Sequence, residues 1–213
     1  MIKKLEDFYK KYRDHYSDDF RLRIHRSLSW IKQAYNTEEQ DVKFILLWIS
    51  FNAAYANEFS ETLGDKNTFL NFLKKICQFD VEHKLHSILA DAHKSSFDKL
   101  IDTPYTFQPF WDCHNGKRKN FDWKVEFNET RYNARISLRK KKTHVVLQIV
   151  FRHLYTLRNQ IVHGGATFNS QVNRTQINEC ITLLSSLIVV MLDIMMKNND
   201  EMDWGKPFYP VVK

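Results

Sequence analysis

Three residues able to carry protons or bind anions crowd the end of one apolar stretch: Arg158, Asn159 and His163, in Leu157-Arg158-Asn159-Gln160-Ile161-Val162-His163-Gly164-Gly165. Histidine is the side chain built to exchange protons near neutral pH. Arginine is a permanent, fork-shaped cation that suits phosphate oxygens. On a helix, at roughly 100° per residue, Asn159 and His163 stand one turn apart on one face. Tyr155 and Arg152 continue that face toward the helix start, and Arg158 sits a quarter-turn round, within reach of the same space. The glycine pair predicts where the helix stops, because the left-handed residue past a last turn is most often glycine. His163 therefore belongs beside the final carbonyls. A plainer use of the same residues is open, since cations at a helix C-terminus also satisfy its last carbonyls.

The elements that must position these residues read as helices. Leu5, Phe8, Tyr9 and Tyr12 predict a first amphipathic helix, and Ile24, Leu28, Ile31 and Tyr35 a second. Thr37-Glu38-Glu39-Gln40 reads as a capping box opening an apolar helix through Trp48, Phe51 and Tyr55. Shorter helices are expected over 68–79, 81–93 and 96–101, with Thr103-Pro104 and Gln108-Pro109 marking a loop region. The stretch 121–138 fits both a hairpin and a helical stripe; helix is the better reading, because an isolated hairpin among helices is marginal. The helix carrying the Arg158–His163 group should run from about Thr143 to His163 on a core stripe of Val146, Val150, Leu154, Leu157 and Ile161. Another should run from about Ser170 to Lys197. The expected fold is all-α and single-domain over 1–213, with core helices at about 20–60 and 143–197. Peripheral helices and loops fill 61–142, and 198–213 forms an extended strap.

Composition narrows the function classes. A net charge of +7 over 213 residues suits a polyanionic partner without requiring one. Cys77, Cys113 and Cys180 are odd in number and widely spaced, so reduced thiols are expected and not a disulfide scaffold or zinc site. Cys113-His114 lacks an activating constellation, and His83, His86 and His93 lack partners at ligand spacing. No metal and no cofactor are expected. The N-terminus has no signal-peptide core, and Ile181–Met196 is too short and too polar for a membrane span; a cytoplasmic location is expected. The densest basic clusters are Lys117-Arg118-Lys119 and Lys140-Lys141-Lys142 after Arg139. The second would lie about 30 Å from His163 along one helix, reaching only distal phosphates in the same subunit.

The segments Trp48-Ile49-Ser50-Phe51-Asn52-Ala53-Ala54-Tyr55 and Leu154 to Thr167, with Asn169-Ser170 and Trp204-Gly205-Lys206-Pro207, resemble the HEPN superfamily, specifically bacterial proteins of the ApeA-like group. The resemblance spans most of the chain from about His25. It implies a HEPN-type helical bundle, a homodimer in which two motifs face one another, and Arg158, Asn159 and His163 as the active-site residues. Asn52 could add a polar contact there or tie two helices together. The implied activity is a metal-independent endoribonuclease acting as a toxin or defence effector, with RNA as substrate and an inhibitor protein as a further partner. His163 would take the proton of a ribose 2′-hydroxyl, Arg158 would stabilise charge on the phosphoryl oxygens, and Asn159 would orient one or the other. The products would be a 2′,3′-cyclic phosphate and a 5′-hydroxyl end. Toxins of this superfamily that pair with nucleotidyltransferase antitoxins carry a tyrosine where this chain has Gly165. A non-catalytic module binding RNA, a nucleotide or a protein partner is the alternative the same resemblance allows.

Overall fold

Helical periodicity prevails along nearly the whole chain. The computed structural model describes residues 2–57, 65–172, 174–201, 203–207 and 209. Among them ten α-helices occur: α1 (Ile2–Tyr12), α2 (Asp18–Tyr35), α3 (Gln40–Tyr55), α4 (Asp65–Gln78), α5 (Lys84–Ser87, continued by a π turn, Ile88–Ala92), α6 (Lys94–Asp102), α7 (Gln108–His114), α8 (Trp123–Arg139), α9 (Thr143–Val162) and α10 (Arg174–Lys197). The chain is all-α, and the only extended pairing among the described residues is a single antiparallel bridge between Asn57 and Pro207. The ambiguous stretch is helical, as α8, launched by Asp122 as its Oδ1 accepts from the Lys124 amide at 2.9 Å.

Two local expectations are corrected. Thr37 does not cap α3, which starts three residues later at Gln40; its hydroxyl donates back to the Gln33 carbonyl at 2.8 Å, finishing α2 instead. Pro109 does not break structure but sits in the first turn of α7, where a missing N–H costs no intrahelical bond.

The chain forms two compact units. The first comprises Met1–Glu38, Ile45–Leu85 and Leu184–Lys213, the second Glu39–Phe44 and His86–Leu183. In the first, Ile24, Ile31, Leu47, Phe51, Phe69, Leu73 and Leu192 are wholly buried. Edge-on aromatic contacts knit α3 to α4, with Trp48 and Phe51 each 6.3 Å from Phe69. Buried Arg23 of α2 donates to the carbonyls of Ala54 (3.0 Å), Ala56 (2.7 Å) and Gly205 (3.0 Å). One guanidinium thus ties the end of α3 to the C-terminal strap. Trp204 of that strap packs near Phe20, Phe72 and Phe79 and donates from Nε1 to the Asn198 carbonyl at 3.3 Å.

In the second unit α9 is the central element, contacting α6, α7, α8 and the 3-10 turn Pro104–Thr106. Val146, Val150, Leu154 and Leu157 line its buried face as the stripe requires, while Ile161 is half-exposed. Burying each such side chain contributes about 1.5–3 kcal/mol. Asp102, at the end of α6, receives Arg131 (2.6 Å) and Arg135 (2.8 Å) from α8. Burial works against its charge, but those two guanidinium hydrogen bonds prevail and hold its carboxyl below the usual range. Helix α10 is long and apolar enough by length and composition to cross a membrane, but 67% of its most apolar window is buried inside the protein, as in a core helix.

His153 also lies on the buried face of α9, its Nδ1 2.8 Å from the Thr106 hydroxyl. Because that hydroxyl donates to the Thr103 carbonyl (3.2 Å), Nδ1 carries the proton and Nε2 faces the core as a bare acceptor. Burial pushes the His153 pKa down to about 4. On acidification the unfolded chain therefore takes up this proton first. The contribution is fully present above the unfolded value of about 6.5 and fades as pH falls toward 4. Stability should drop by about 2 kcal/mol between pH 7 and pH 5 from this group. Urea melts of the wild type and His153→Gln check it: the variant should lose that part of the pH slope, and an equal slope in both would refute the assignment.

Candidate functional site

The end of α9 is closed by main chain alone. His163 is the C-cap residue and Gly164 follows in the left-handed conformation (φ +70°). The Gly165 amide donates to the Gln160 carbonyl at 2.7 Å and the Gly164 amide to the Ile161 carbonyl at 3.2 Å. This pair of bonds is the Schellman arrangement. Both glycines are needed for different reasons: Gly164 for its positive φ, and Gly165 because a Cβ there would meet the Gln160 carbonyl oxygen at 3.1 Å. Gly164→Ala should cost about 1–2 kcal/mol, the penalty of a left-handed L-residue, and Gly164→Asn less. Denaturant melts decide it, and an unchanged midpoint for the alanine variant would contradict this account.

Since backbone amides already serve these carbonyls, the polar side chains on the same turn are not needed as caps. Arg158 Nη1 donates to Asn159 Oδ1 at 3.0 Å, and its guanidinium carbon lies 5.8 Å from the centre of the Tyr155 ring. The arginine is thereby held between an amide oxygen and an aromatic face, with no carboxylate ion pair among the described residues. Its remaining N–H groups form a fixed donor fork. His163 is exposed, placed one turn on by its amide donating to the Asn159 carbonyl at 3.0 Å. No hydrogen bond links its ring to Arg158 or Asn159. Arg152, on the same face, is exposed. The site is thus a short surface track of two arginines, an amide, a phenol and an imidazole, able to bind an anion and exchange a proton.

The other expected residues lie elsewhere. Lys140, Lys141 and Lys142 are exposed at the opposite end of α9, a 20-residue helix and so about 30 Å long. They do not join Arg158 and His163 within this unit. Asn52 belongs to the first compact unit, half-buried, with its Oδ1 making no hydrogen bond. Cys113 donates from Sγ to the Phe121 carbonyl (3.5 Å), while His114 stacks on Phe110, so the two do not form a nucleophile pair. All three cysteines are free; burial, reinforced by Asp80, pushes the Cys77 thiol up to about 12.

Two supports were missed by the sequence reading. Asp41, in the first turn of α3, accepts from the Asn169 amide (2.9 Å) and from Arg174 Nη2 (3.0 Å), anchoring the segment that leaves the glycine pair. Gln160 Nε2 donates to the Tyr105 carbonyl at 2.6 Å, which also accepts from Trp111 Nε1 at 2.8 Å. With the Thr106–His153 contact, this fixes the Pro104–Thr106 turn to the flank of α9. Among the described residues no group of three or more His, Cys, Asp or Glu is placed to hold a metal ion. No protein-family model matches the chain, and no curated protein or solved structure is detectably similar to it.

Proposed function

We propose that this chain is a metal-independent endoribonuclease of the HEPN type, acting as a toxin or defence effector and working as a homodimer. The observation that carries the reading is a helix end closed by backbone amides while Arg158, Asn159 and His163 stand on its surface without a capping task. None of the three is needed to close the helix, so their combination asks for a chemical reason. The resemblance of the surrounding segments to the HEPN superfamily supplies one.

In this reading His163 accepts the proton of a ribose 2′-hydroxyl as that oxygen attacks the adjacent phosphorus. The P–O5′ bond breaks, the departing 5′ oxygen takes up a proton, and a 2′,3′-cyclic phosphate remains. Arg158, held by Asn159 and the Tyr155 ring, faces the phosphoryl oxygens with donors already oriented. Asn159 keeps its amide N–H groups for the same phosphate. Arg152 and, further off, Lys140 to Lys142 add backbone attraction without sequence preference. A second copy would bring a second such track, as the superfamily resemblance implies.

The test is incubation of purified protein with total RNA and with tRNA in excess EDTA, followed by end-group analysis. Cyclic-phosphate ends produced in EDTA are the expected result. A folded protein that binds RNA and leaves it intact would displace this reading in favour of a non-catalytic binding module.

A further inference from the structure

The first compact unit holds a cavity of about 510 Å³ between one face of α4 and the C-terminal strap, a size usual for small-molecule sites. Helix α4 supplies Thr68, Asn71, Phe72, Lys75 and Gln78, which fall within about 120° of one another around the helix, with Lys74 at the margin. Its apolar side is Tyr55, Phe72 and Trp204, all buried, with the Phe72 and Trp204 rings 6.3 Å apart. The frame is fixed in advance, which lowers the cost of ordering a site around a ligand. Arg23 grips the Ala54 and Ala56 carbonyls at the end of α3 and the Gly205 carbonyl of the strap. Gly205 has a positive φ (+71°), and a Cβ there would meet the Asn57 side chain at 3.3 Å. Asp203, also on the strap, accepts from the Gly205 amide through Oδ1 at 2.8 Å, and its other oxygen bonds to no described residue.

The charges of the cavity are held apart. Lys84, Lys94, Lys99 and Lys197 each meet a carboxylate. Lys74 and Lys75 meet none among the described residues, although both share this cavity with Asp203. Two ammonium groups on α4 and a carboxylate on the strap, with no ion pair joining them, complement a ligand that carries both charges itself. We infer that this cavity binds a zwitterionic α-amino acid with an apolar, aromatic side chain. Its carboxylate meets Lys74 and Lys75, its ammonium meets Asp203, and its side chain lies against Tyr55, Phe72 and Trp204. The amides of Asn71 and Gln78 supply further N–H donors on the α4 wall. A plain anion would face the Asp203 carboxylate, and a plain cation would face two lysines, so each leaves a like charge opposed. The inference goes beyond the ribonuclease reading and does not depend on it.

The experiment is equilibrium dialysis of the full chain against isotopically labelled L-phenylalanine, with unlabelled compounds as competitors. Phenylpropanoate lacks the ammonium, phenylethylamine lacks the carboxylate, and glycine lacks the ring. Phenylalanine should bind, and each competitor should be weaker by about tenfold or more, the worth of one hydrogen bond to a charged group. These comparisons use the wild type, so no variant's folding enters them. Asp203→Asn, whose amide oxygen can still accept from Gly205, should weaken phenylalanine about tenfold and leave phenylpropanoate unchanged. Lys74→Gln combined with Lys75→Gln should weaken phenylalanine and leave phenylethylamine unchanged, with thermal melts confirming that both variants are folded. A wild type that retains no phenylalanine at millimolar concentration would overturn the site. So would phenylpropanoate competing as well as phenylalanine itself, which would make this a plain anion pocket. Full phenylalanine binding by both variants would overturn it too, by placing the ligand elsewhere on the chain.

Discussion

Replacing His163 by alanine should lower RNA cleavage by about 10²–10⁴-fold, the usual contribution of a general base, with little change in thermal stability. Arg158→Ala should lower it by about 10²–10³-fold, as for removal of one oriented donor to a developing oxyanion. Arg158→Lys should recover only part, since an ammonium keeps the charge but not the planar fork. The structure gives a sharp reason to expect separation between chemistry and folding. His163 is exposed, and the carbonyls near Arg158 and His163 are bonded to the amides of Gly164 and Gly165. An exposed substitution such as His163→Ala usually stays within about 0.5 kcal/mol, while half-buried Arg158 also gives up its hydrogen bond to Asn159, about 1 kcal/mol. Paired measurements of cyclic-phosphate production and of the urea midpoint decide the matter. Variants that keep full activity, or that lose activity only by unfolding, would remove these residues from the chemistry.

The largest effect on stability should come from the other unit. Arg23→Met leaves the carbonyls of Ala54, Ala56 and Gly205 without their shared donor. Each buried acceptor left unpaired costs about 1–3 kcal/mol. Against this stands the relief of burying a charge: burial lowers the Arg23 pKa to about 10, equivalent to roughly 3 kcal/mol. Three acceptors sum to about 3–9 kcal/mol, so a net loss of about 3 kcal/mol is expected at the middle of that range. Arg23→Lys should also lose stability, since one ammonium cannot span carbonyls from two directions as a fork does. Denaturant melts give the magnitude, and limited proteolysis should show the strap cut earlier than the rest. A methionine variant within about 0.5 kcal/mol of wild type would show that the clasp is dispensable.

How far the sequence carried depended on whether the deciding interactions were local. Helix α9 and its glycine stop were legible because a buried stripe and a left-handed cap are written within single turns. Helix α8 was legible over the hairpin because its alternation also fits a helical stripe, and its N-cap, Asp122, is local too. The Thr37 cap was misread for the opposite reason: a hydroxyl between two helices can serve either, and here it finishes the earlier one. Arg23 was invisible because its three acceptors lie 31, 33 and 182 residues away, and an arginine by type reads as surface. His153 carried a usable signal that went unread. It lies three residues after Val150 and four before Leu157, on the core stripe itself, where an imidazole must be buried and neutral. At the candidate site the face shared by Arg152, Tyr155, Asn159 and His163 was evident from spacing. The grip of Asn159 on Arg158 was not, because neighbouring residues on a helix point about 100° apart and meet only through long side chains. Nor was Tyr105, which reaches α9 through a carbonyl that no residue type announces.

The backbone closure of α9 has an evolutionary consequence. A helix that ended on its own arginine and histidine would tie catalysis to foldedness, and every loss of one would be purged with the other. On the proposed reading, one nucleotide change would silence the chemistry and leave an intact scaffold, so descendants of such a protein could drift from cutting a strand to merely holding it without passing through an unfolded ancestor.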